Sequence, residues 1–319
     1  MYIKRPRRYM KRGYIGSMSR FEINDEDLAG LKDKAVLVTG GSSGIGLGTV
    51  NLLLSLGARV TNVDLSLPKS SEPGEPSPID SRLTFEPCNV CDWQALRGVF
   101  TRTVEREGRI DAVFANAGVG ARTRFIDDEI DDVDGELKAP DLSCVETNLL
   151  SVISTVKLAV HHMRKQKTGG SIVLTASVSS WSRFKAVDYT TSKHAVLGLM
   201  RSLIPHLEEL PVPIRLNSLA PNWTKSGIVN EEMVSLTGLA LNTPEHVARS
   251  AALLMSNNNR NGEVIFIDGG KYWEIEEALG GAGVGSFVGP SLPAGSDQGS
   301  DWDRYLEFSR RMNLALKGL

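Results

Sequence analysis

The sequence predicts an α/β fold in which a doubly wound parallel sheet carries helices on both faces. Apolar runs of strand length recur along the chain, segments with helical periodicity separate them, and a glycine-rich turn follows the first run. Strands that alternate with helices form right-handed βαβ units and a parallel sheet. The length of 319 residues fits a single large domain with tails.

Seven runs have the length expected of strands. The run at 82–86 (RLTFE) is a weaker candidate than the others. The six stronger candidates lie at 35–38, 58–63, 110–114, 171–176, 213–219 and 263–267. Their apolar character is nearly continuous, which is typical of central strands that are buried on both faces.

Helical signals fill the segments between these runs. After the first run, Val50, Leu53 and Leu54 share one helix face, and Gly57 supplies a stop. A later helix is predicted to begin at Thr243, an N-cap followed by a first-turn proline and an acidic residue. Another apolar stripe is spaced by four, three and four residues: Val145, Leu149, Val152 and Val156.

A glycine-rich turn, TGGSSGIG at 39–46, directly follows the first predicted strand and opens a helix. Glycines at 40, 44 and 46 allow a tight turn and a close backbone approach to a pyrophosphate on the helix N-terminus. The next strand ends in Asp64, whose carboxylate can accept hydrogen bonds from an adenosine ribose and would repel a 2′-phosphate. The pattern therefore predicts a dinucleotide site that prefers NAD to NADP.

Tyr189 and Lys193 lie one turn apart on one face of a predicted helix, in the sequence YTTSK. A neighbouring ammonium favours a phenolate, so we expect Lys193 to lower the pKa of Tyr189 and to suit it for proton transfer. Ser177 follows the preceding strand and can hold the reacting oxygen, although Ser179 and Ser180 are nearby competitors.

With these motifs in place, the chain resembles the short-chain dehydrogenase/reductase family from about residue 32 to 275. NAG at 116–118 and Pro221 after the sixth run add to the match. The resemblance implies a Rossmann-type, seven-stranded parallel sheet and a catalytic set of Asn148, Ser177, Tyr189 and Lys193. It further implies that Lys193 binds the nicotinamide ribose and that Asn148 holds a water in a proton relay.

The implied reaction is the NAD-dependent interconversion of a secondary alcohol and a ketone on a small to mid-sized organic substrate. The predicted cofactor-binding residues are Gly40, Ser42, Ser43, Gly44, Ile45, Gly46, Asp64, Asn89, Val90, Asn116, Ala117, Gly118, Tyr189, Lys193, Pro221 and Thr224. A narrower similarity, to fungal 15-hydroxyprostaglandin-dehydrogenase-like members, is carried by the insertion at 127–142 and the segment HHMRKQ, and suggests secondary metabolism.

Three positions depart from the family pattern. Asn89 stands where the family has Asp beside the adenine ring, and an amide can still form a hydrogen bond there. Asn222 replaces the glycine after Pro221, which affects the expected backbone near the nicotinamide. The spacing from Ser177 to Tyr189 is one residue shorter than usual, which implies a shortened loop.

Composition divides the chain into four parts. Residues 1–30 are predicted to be a basic, disordered tail, with a targeting presequence as the alternative. Residues 31–276 form the predicted dinucleotide-binding catalytic domain, with a Ser- and Pro-rich insertion at 66–81, and 277–300 a flexible linker. An amphipathic helix at 301–319 is expected to dock through Trp302, Tyr305, Phe308, Met312 and Leu316.

Charge and cysteine content exclude several classes of partner. A net charge of −2 gives no reason to expect a nucleic acid, and no apolar run reaches the roughly 18 residues of a membrane span. The three cysteines suit a reducing, cytoplasmic location. Cys88 and Cys91 have the CxxC spacing of a redox pair or half a zinc site, but without a second pair we expect ordinary thiols and no metal.

Two other functions remain open on the same scaffold. One is a dinucleotide sensor or partner-binding protein, because a fold does not fix function. An intact Asn, Ser, Tyr and Lys set argues against it, since a sensor needs no proton donor. The other is a cyclase or isomerase, which would turn over its substrate without consuming the dinucleotide. The resemblance also implies a homodimer or homotetramer.

Overall fold

A computed structural model describes residues 19–68, 80–227, 229, 231–235, 238–281, 303, 306 and 307. Two compact units are distinguished, and the larger comprises Arg20–Glu274. The basic tail at 1–18, most of the Ser- and Pro-rich insertion, most of the predicted linker and the five apolar residues of the C-terminal stripe lie outside the described residues.

A nine-stranded sheet forms the centre of the larger unit, in the order β1-β9-β8-β7-β6-β5-β2-β3-β4. All neighbours from β8 through β4 pair in parallel, so the predicted seven-stranded parallel sheet is confirmed. Each of the seven predicted runs is one of its strands. The strands are β1 (Ser19–Phe21), β2 (Ala35–Thr39), β3 (Arg59–Asp64), β4 (Leu83–Pro87), β5 (Ala112–Ala115), β6 (Gly170–Thr175), β7 (Ile214–Pro221), β8 (Val264–Asp268) and β9 (Lys271–Glu274).

The two additional strands, β1 and β9, extend the sheet beyond the predicted seven. β9 runs antiparallel to β8 through a hairpin that pairs Asp268 with Lys271. Gly269 and Gly270 form its two-residue turn with φ of +55° and +75°, values that glycine adopts without strain. A Gly-Gly pair between two apolar runs is a hairpin signal, so the sequence does contain an indication of β9.

Helices cover both faces of the sheet. α1 begins directly after the glycine-rich turn and ends before Gly57, whose φ is +83°. α6 has the predicted N-cap, because Thr243 Oγ1 accepts a hydrogen bond of 3.3 Å from the His246 N–H. The helices of the larger unit are α1 (Gly44–Ser55), α2 (Trp93–Glu107), α3 (Ser143–Met163), α4 (Val187–Glu208), α5 (Glu231–Ser235) and α6 (Pro244–Ser256). The smaller unit contains α7 (Glu276–Gly281).

The core lies between the central strands and the helices α1 and α6. Val38 and Phe114 from the sheet pack there with Leu53 and Leu254 from the helices, and all four are fully buried. Burial of one such side chain contributes about 1.5–3 kcal/mol to folding. The core fixes the parallel strands so that the carboxyl ends of β2, β3, β5, β6 and β7 meet at one edge, where α/β sheets bind ligands.

α3 is the only described helix that is long and apolar enough, by length and composition, to cross a membrane, with a mean hydropathy of 1.2 over its most apolar window. No segment of this kind was expected from the sequence. A core helix passes the same test, and Val152, Val156, Ala159 and Met163 of α3 are buried in the protein. This helix is therefore weak evidence for a membrane span.

Candidate active site

The glycine-rich turn between β2 and α1 brings the backbone too close to its neighbours for side chains. Gly40 has a φ of +70°, and a Cβ there would lie 2.8 Å from the Ala117 Cα. A Cβ on Gly46 would overlap the carbonyl oxygen of Gly40. The N-terminus of α1 faces the cavity described below through Ser43, Gly44 and Ile45. Free N–H groups at a helix N-terminus bind anions, so the turn fits a pyrophosphate.

Asp64, at the end of β3, is fixed beside this turn. Its Oδ2 accepts a hydrogen bond of 3.0 Å from the Ser42 N–H, and its Oδ1 accepts one of 2.7 Å from the Leu65 N–H. Each carboxylate oxygen keeps a second lone pair for a ligand hydroxyl. Ser42 itself is buried, and its hydroxyl accepts a bond of 3.1 Å from Asn62 Nδ2, so it supports the turn from behind.

The segment after β4 lies beside Asp64 in the same cavity, where Cys88, Asn89 and Val90 contribute to the wall. Asn89 Oδ1 accepts a hydrogen bond of 3.0 Å from the Cys91 N–H, so the side chain holds the turn as well. Both thiols of the CxxC pair are free. No group of three potential metal ligands occurs among the residues that the structure describes.

Asn116 ties the ends of three strands together. Its Nδ2 donates to the carbonyl oxygens of Thr39 and Gly40 at 3.2 and 3.3 Å. Its Oδ1 accepts a hydrogen bond of 3.2 Å from Thr175 Oγ1. The NAG motif thereby joins β2, β5 and β6 at the carboxyl edge of the sheet and places Ala117 and Gly118 on the cavity wall.

Ser177, Tyr189 and Lys193 lie together on the same cavity. The hydroxyl of Ser177 lowers the pKa of Tyr189, and the Lys193 Nζ lies 5.7 Å from the centroid of the tyrosine ring. The Lys193 Nζ donates a bond of 2.8 Å to the carbonyl oxygen of Thr175. Of the two competing serines, Ser180 donates its hydroxyl to the Lys193 carbonyl oxygen at 2.7 Å and is therefore occupied.

The predicted effect of Lys193 on Tyr189 is wrong for this state of the protein. Burial raises the pKa of Tyr189 above its usual value, while the hydrogen bond with Ser177 lowers it and only partly offsets burial. Burial also lowers the pKa of Lys193 to about 8. Desolvation is the largest cause of both shifts, because it disfavours the charged form of each group. The phenol is therefore protonated at neutral pH.

Asn148 is fully buried and does not reach the cavity. Its side chain pairs twice with the backbone of Val119, because Oδ1 accepts from the N–H at 2.8 Å and Nδ2 donates to the carbonyl oxygen at 2.9 Å. The residue lies in a π-helical turn, Glu146–Leu150, within α3. Such turns occur often at functional sites. The side chain therefore holds the neighbouring wall in place.

One cavity of about 940 Å³ joins these groups. It extends from the glycine-rich turn and Asp64 to Tyr189 and Lys193, and it also includes Pro221 and Thr224. Three predicted residues do not line it: Ser42, Gly46 and Asn148. The volume is at the upper end of the range for small-molecule sites, so a cofactor and a substrate can share it.

Sequence reasoning missed the aromatic part of this cavity. Phe184 follows β6, Trp223 follows β7, and their ring centroids lie 5.5 Å apart at an interplanar angle of 58°. Arg122 and Val229 line the same cavity. Aromatic residues in the loops after strand ends were the available signal, but only the fold shows that these two meet.

The segment from 222 to 242, which follows β7, begins and ends with asparagines that hydrogen-bond to β8 and the turn after it. Asn222 Nδ2 donates to Asp268 Oδ1 at 2.9 Å, and Asp33 is the only described non-glycine residue with a positive φ. The backbone at 222 therefore does not require glycine. Asn242 is fully buried, donates from Nδ2 to the Ile267 carbonyl oxygen at 3.0 Å and accepts from the Gly270 N–H at 3.1 Å.

The model of the short-chain dehydrogenase family matches residues 34–235, most of the unit that carries this cavity. The chain belongs to the short-chain dehydrogenase/reductase family. The resemblance drawn from its motifs is therefore confirmed, and a nicotinamide dinucleotide and a small-molecule substrate are the ligands of this family.

Curated relatives include fungal and plant members. The short-chain dehydrogenase/reductase ascJ of Acremonium egyptiacum is 41% identical over 265 residues, which cover 82% of this chain and 87% of that protein. The short-chain dehydrogenase/reductase ATR7 of Stachybotrys chlorohalonatus is 33% identical and covers 82% and 86%. Short-chain dehydrogenase reductase 4 of Arabidopsis thaliana is 32% identical and covers 75% and 83%.

Two solved structures show the same fold. Levodione reductase is 27% identical with a TM-score of 0.62, over 75% of this dehydrogenase/reductase and 97% of that chain. A variant of ElxO with NADPH bound is 26% identical with a TM-score of 0.61, over 75% and 98%. Both align along nearly their whole length, as expected for a Rossmann-type domain with additional terminal segments in this chain.

Proposed function

We propose that this dehydrogenase/reductase is an NAD-dependent enzyme that interconverts a secondary alcohol and a ketone on a small to mid-sized organic substrate. The observation that carries the proposal is the single cavity that has Asp64 and the glycine-rich turn at one end and Tyr189 with Lys193 at the other. The turn would hold the phosphates of a dinucleotide, and Tyr189 would lie at the nicotinamide end of the cavity. The bound nicotinamide then supplies or accepts the hydride.

The preference for NAD rests on Asp64. Its carboxylate is held in place by two backbone N–H groups, and a 2′-phosphate would meet a fixed negative charge there. Moving Asp64 away would cost both of these hydrogen bonds. Gly40, Ser43, Gly44 and Ile45 offer backbone groups and a hydroxyl to phosphates but no cation for an additional one.

Tyr189 is proposed as the proton-transfer group. Its phenol is protonated at neutral pH and can donate a proton to the oxygen of a ketone, and in the oxidation direction its phenolate form accepts the proton of the alcohol. Ser177 holds the same oxygen through its hydroxyl. Lys193 places an ammonium beside the phenol, orients the ribose of the cofactor and is itself fixed by the Thr175 carbonyl oxygen.

A turnover screen tests the proposed reaction. Purified protein is mixed with NAD and a panel of secondary alcohols, and with NADH and the matching ketones, while the absorbance of the reduced nicotinamide is followed. We expect turnover of at least one pair. Substrate conversion without a change in absorbance would indicate a cyclase or isomerase, and dinucleotide binding without any conversion would indicate a sensor.

Asp64→Ser tests the cofactor preference. We expect wild type to have a higher kcat/KM with NAD than with NADP. In the variant, the ratio of these two kcat/KM values should fall by at least about tenfold, which corresponds to a free-energy difference of about 1.4 kcal/mol. Equal efficiency with both cofactors in wild type would contradict the assignment. Asp80→Ser is the control, because Asp80 pairs with Arg82 just before β4 and does not line the cavity.

We further propose that the protein acts in the cytoplasm, in secondary metabolism, as a homodimer or homotetramer without nucleic acid or membrane partners. Three free cysteines and a net charge of −2 support this setting. Light scattering after gel filtration measures the assembly, and a monomer at micromolar concentration would contradict it.

A further inference from the structure

Asp188 directly precedes Tyr189, and its carboxylate is buried, with only 4% of the residue exposed. Its Oδ1 accepts a hydrogen bond of 2.8 Å from the Tyr189 N–H. Its Oδ2 accepts bonds of 2.7 and 3.1 Å from the N–H groups of Arg122 and Thr123. A buried charge is costly unless it is paired or hydrogen-bonded, and three donors meet that requirement here.

The backbone that Asp188 holds is a wall of the cavity. Residues 119–122 all line it. The other end of this wall is held by the double hydrogen bond between Asn148 and Val119. Thr123 adds a third attachment, since its Oγ1 donates to the Asp141 carbonyl oxygen at 2.8 Å. The two ends of the wall are thus tied to the helices α3 and α4, which carry Asn148 and Tyr189.

The charge of Asp188 acts on a buried thiol, that of Cys144. The Cys144 thiol is buried beside Asn148, whose Nδ2 lies 3.4 Å from the sulfur. Burial first, and the charge of Asp188 second, raise the pKa of Cys144 to about 11, while the Lys193 ammonium acts in the opposite direction. The thiol therefore stays neutral, and the carboxylate of Asp188 and the ammonium of Lys193 are the charged groups that flank it.

We infer that Asp188 is a positioning residue that holds the cavity wall 119–122, through Arg122 and the adjoining Thr123, in register with the first turn of the helix bearing Tyr189. The inference rests on the proposed function, because it concerns where a substrate carbon lies relative to the phenol. A substrate placed by this wall is carried to a fixed distance from the proton donor. A misplacement of 1 Å can cost about 10²-fold in rate, so the register matters.

Asp188→Asn is the test because an amide has one acceptor oxygen. That oxygen can accept hydrogen bonds from the N–H groups of Arg122 and Thr123, or from the Tyr189 N–H. In either case the amide NH₂ group faces the remaining N–H donor and cannot accept its bond. The matched control is Asp92→Asn, at the N-cap of α2. Asp92 Oδ1 also accepts two backbone N–H bonds, from Gln94 and Ala95 at 2.9 and 3.0 Å, and it does not line the cavity.

The first measurement is hydrogen–deuterium exchange of the ligand-free protein, which needs no substrate. We expect peptides that contain Arg122 and Thr123 to exchange at least about tenfold faster in Asp188→Asn, as the loss of about 1.4 kcal/mol of protection predicts. Exchange in β6 and β7 should not change, and Asp92→Asn should leave the wall as in wild type. Unchanged exchange at 122 and 123 would overturn the inference.

The second measurement separates positioning from a general loss of structure. With α-tetralone as the probe ketone and NADH, Asp188→Asn should lose 10-fold to 100-fold in kcat/KM, by analogy with misplaced substrates. Its dissociation constant for NADH, from fluorescence, should stay within about twofold of wild type. An equal loss of NADH affinity, or the same kinetic loss in Asp92→Asn, would overturn the inference.

Two further outcomes are assigned in advance. If wild type does not reduce α-tetralone, the proposed reaction fails for this ketone, while the exchange measurement still decides the role of Asp188. If Asp188→Asn does not fold, Asp188→Glu replaces it. That variant keeps the charge but lengthens the side chain, and it should still accelerate exchange at the wall.

Discussion

At the scale of single residues, the site depends on polar groups that the fold removes from water. Lys193 is 4% exposed and is held by one backbone carbonyl oxygen, and Tyr189 is partly buried beside it. Their presence and spacing were predictable from the motif YTTSK. The direction of their pKa shifts was not, because it depends on how much solvent the neighbouring strands exclude. The contacts of Asn148 were also not predictable, since only the fold shows that its amide hydrogen-bonds to the backbone of Val119.

Replacement of the proposed proton donor tests the chemistry directly. Tyr189→Phe removes the hydroxyl and keeps the ring that packs over Lys193. We expect dinucleotide binding to stay near that of wild type, while turnover falls by roughly 10²–10⁴ or more, the contribution typical of acid–base groups. Steady-state rates and fluorescence titration with NADH measure the two effects. Near-normal rates in the variant would exclude this mechanism.

The lowered pKa of Lys193 predicts how stability changes with pH. Between the folded value of about 8 and the ordinary value of 10.5, the unfolded chain binds a proton that the folded chain lacks. Stability from this residue therefore rises with pH in that window, by an amount on the order of 3 kcal/mol at most.

Urea unfolding at pH 8 and pH 9.5 checks this, with Lys193→Met as the control that cannot titrate. The difference between wild type and the variant should shift in favour of wild type at the higher pH. This subtraction matters because burial raises the pKa of Cys144 to about 11, which acts in the opposite direction above pH 9 in both proteins. A difference that is independent of pH would contradict the shift.

At the scale of elements, the seven parallel strands were predictable from the sequence, and the two short strands β1 and β9 were not. Seven runs with near-continuous apolar character became the seven parallel strands, because burial on both faces leaves a clear pattern in the sequence. β1, at one edge of the sheet, and its neighbour β9 have only three and four residues, too few for such a pattern. The aromatic pair Phe184 and Trp223 was likewise invisible, since it joins loops 39 positions apart in the sequence.

The segment 222–242 depends on Asn242, which is fully buried and joins the base of that segment to the β8–β9 hairpin. Asn242→Ala leaves the Gly270 N–H without its partner, whereas the Ile267 carbonyl oxygen keeps a bond of 2.8 Å from the Asn222 N–H. We expect a loss of about 1–3 kcal/mol in the free energy of unfolding for the group left unpaired, together with a raised substrate KM.

Urea unfolding and steady-state kinetics measure both effects. Asn257→Ala is the control, because that side chain makes one hydrogen bond, from the exposed Asn259 N–H, outside the cavity. A fall in stability with an unchanged KM would show that Asn242 anchors the hairpin alone. A variant as stable as wild type would contradict the role of Asn242 in joining the segment 222–242 to the hairpin.

At the scale of the whole molecule, the terminal segments are the part that the family pattern does not explain. The family model ends at residue 235, and the structure describes only 303, 306 and 307 of the proposed C-terminal helix. From the sequence, five large apolar side chains on one face would stabilise a docked helix by about 1.5–3 kcal/mol each. We therefore propose that residues 301–317 dock on the enzyme body or on a neighbouring subunit.

Truncation after Gly280 tests the docking. Reduced stability with unchanged kinetic constants is expected if the helix only covers an apolar patch. A raised substrate KM in a well-folded protein is expected if it closes the substrate cavity. Thermal unfolding, light scattering and kinetics distinguish these, and a truncated protein that matches the full chain in all three would contradict docking.

The position of Trp223 gives the protein a built-in optical reporter. Its indole lines the cavity beside Phe184, whereas Trp93 does not line it and is 40% exposed. Displacement of water from the indole by a bound molecule changes its emission, and reduced nicotinamide absorbs in the range in which tryptophan emits. Occupancy of the site can therefore be followed by quenching and energy transfer in the unlabelled protein, with Trp223→Phe as the blank.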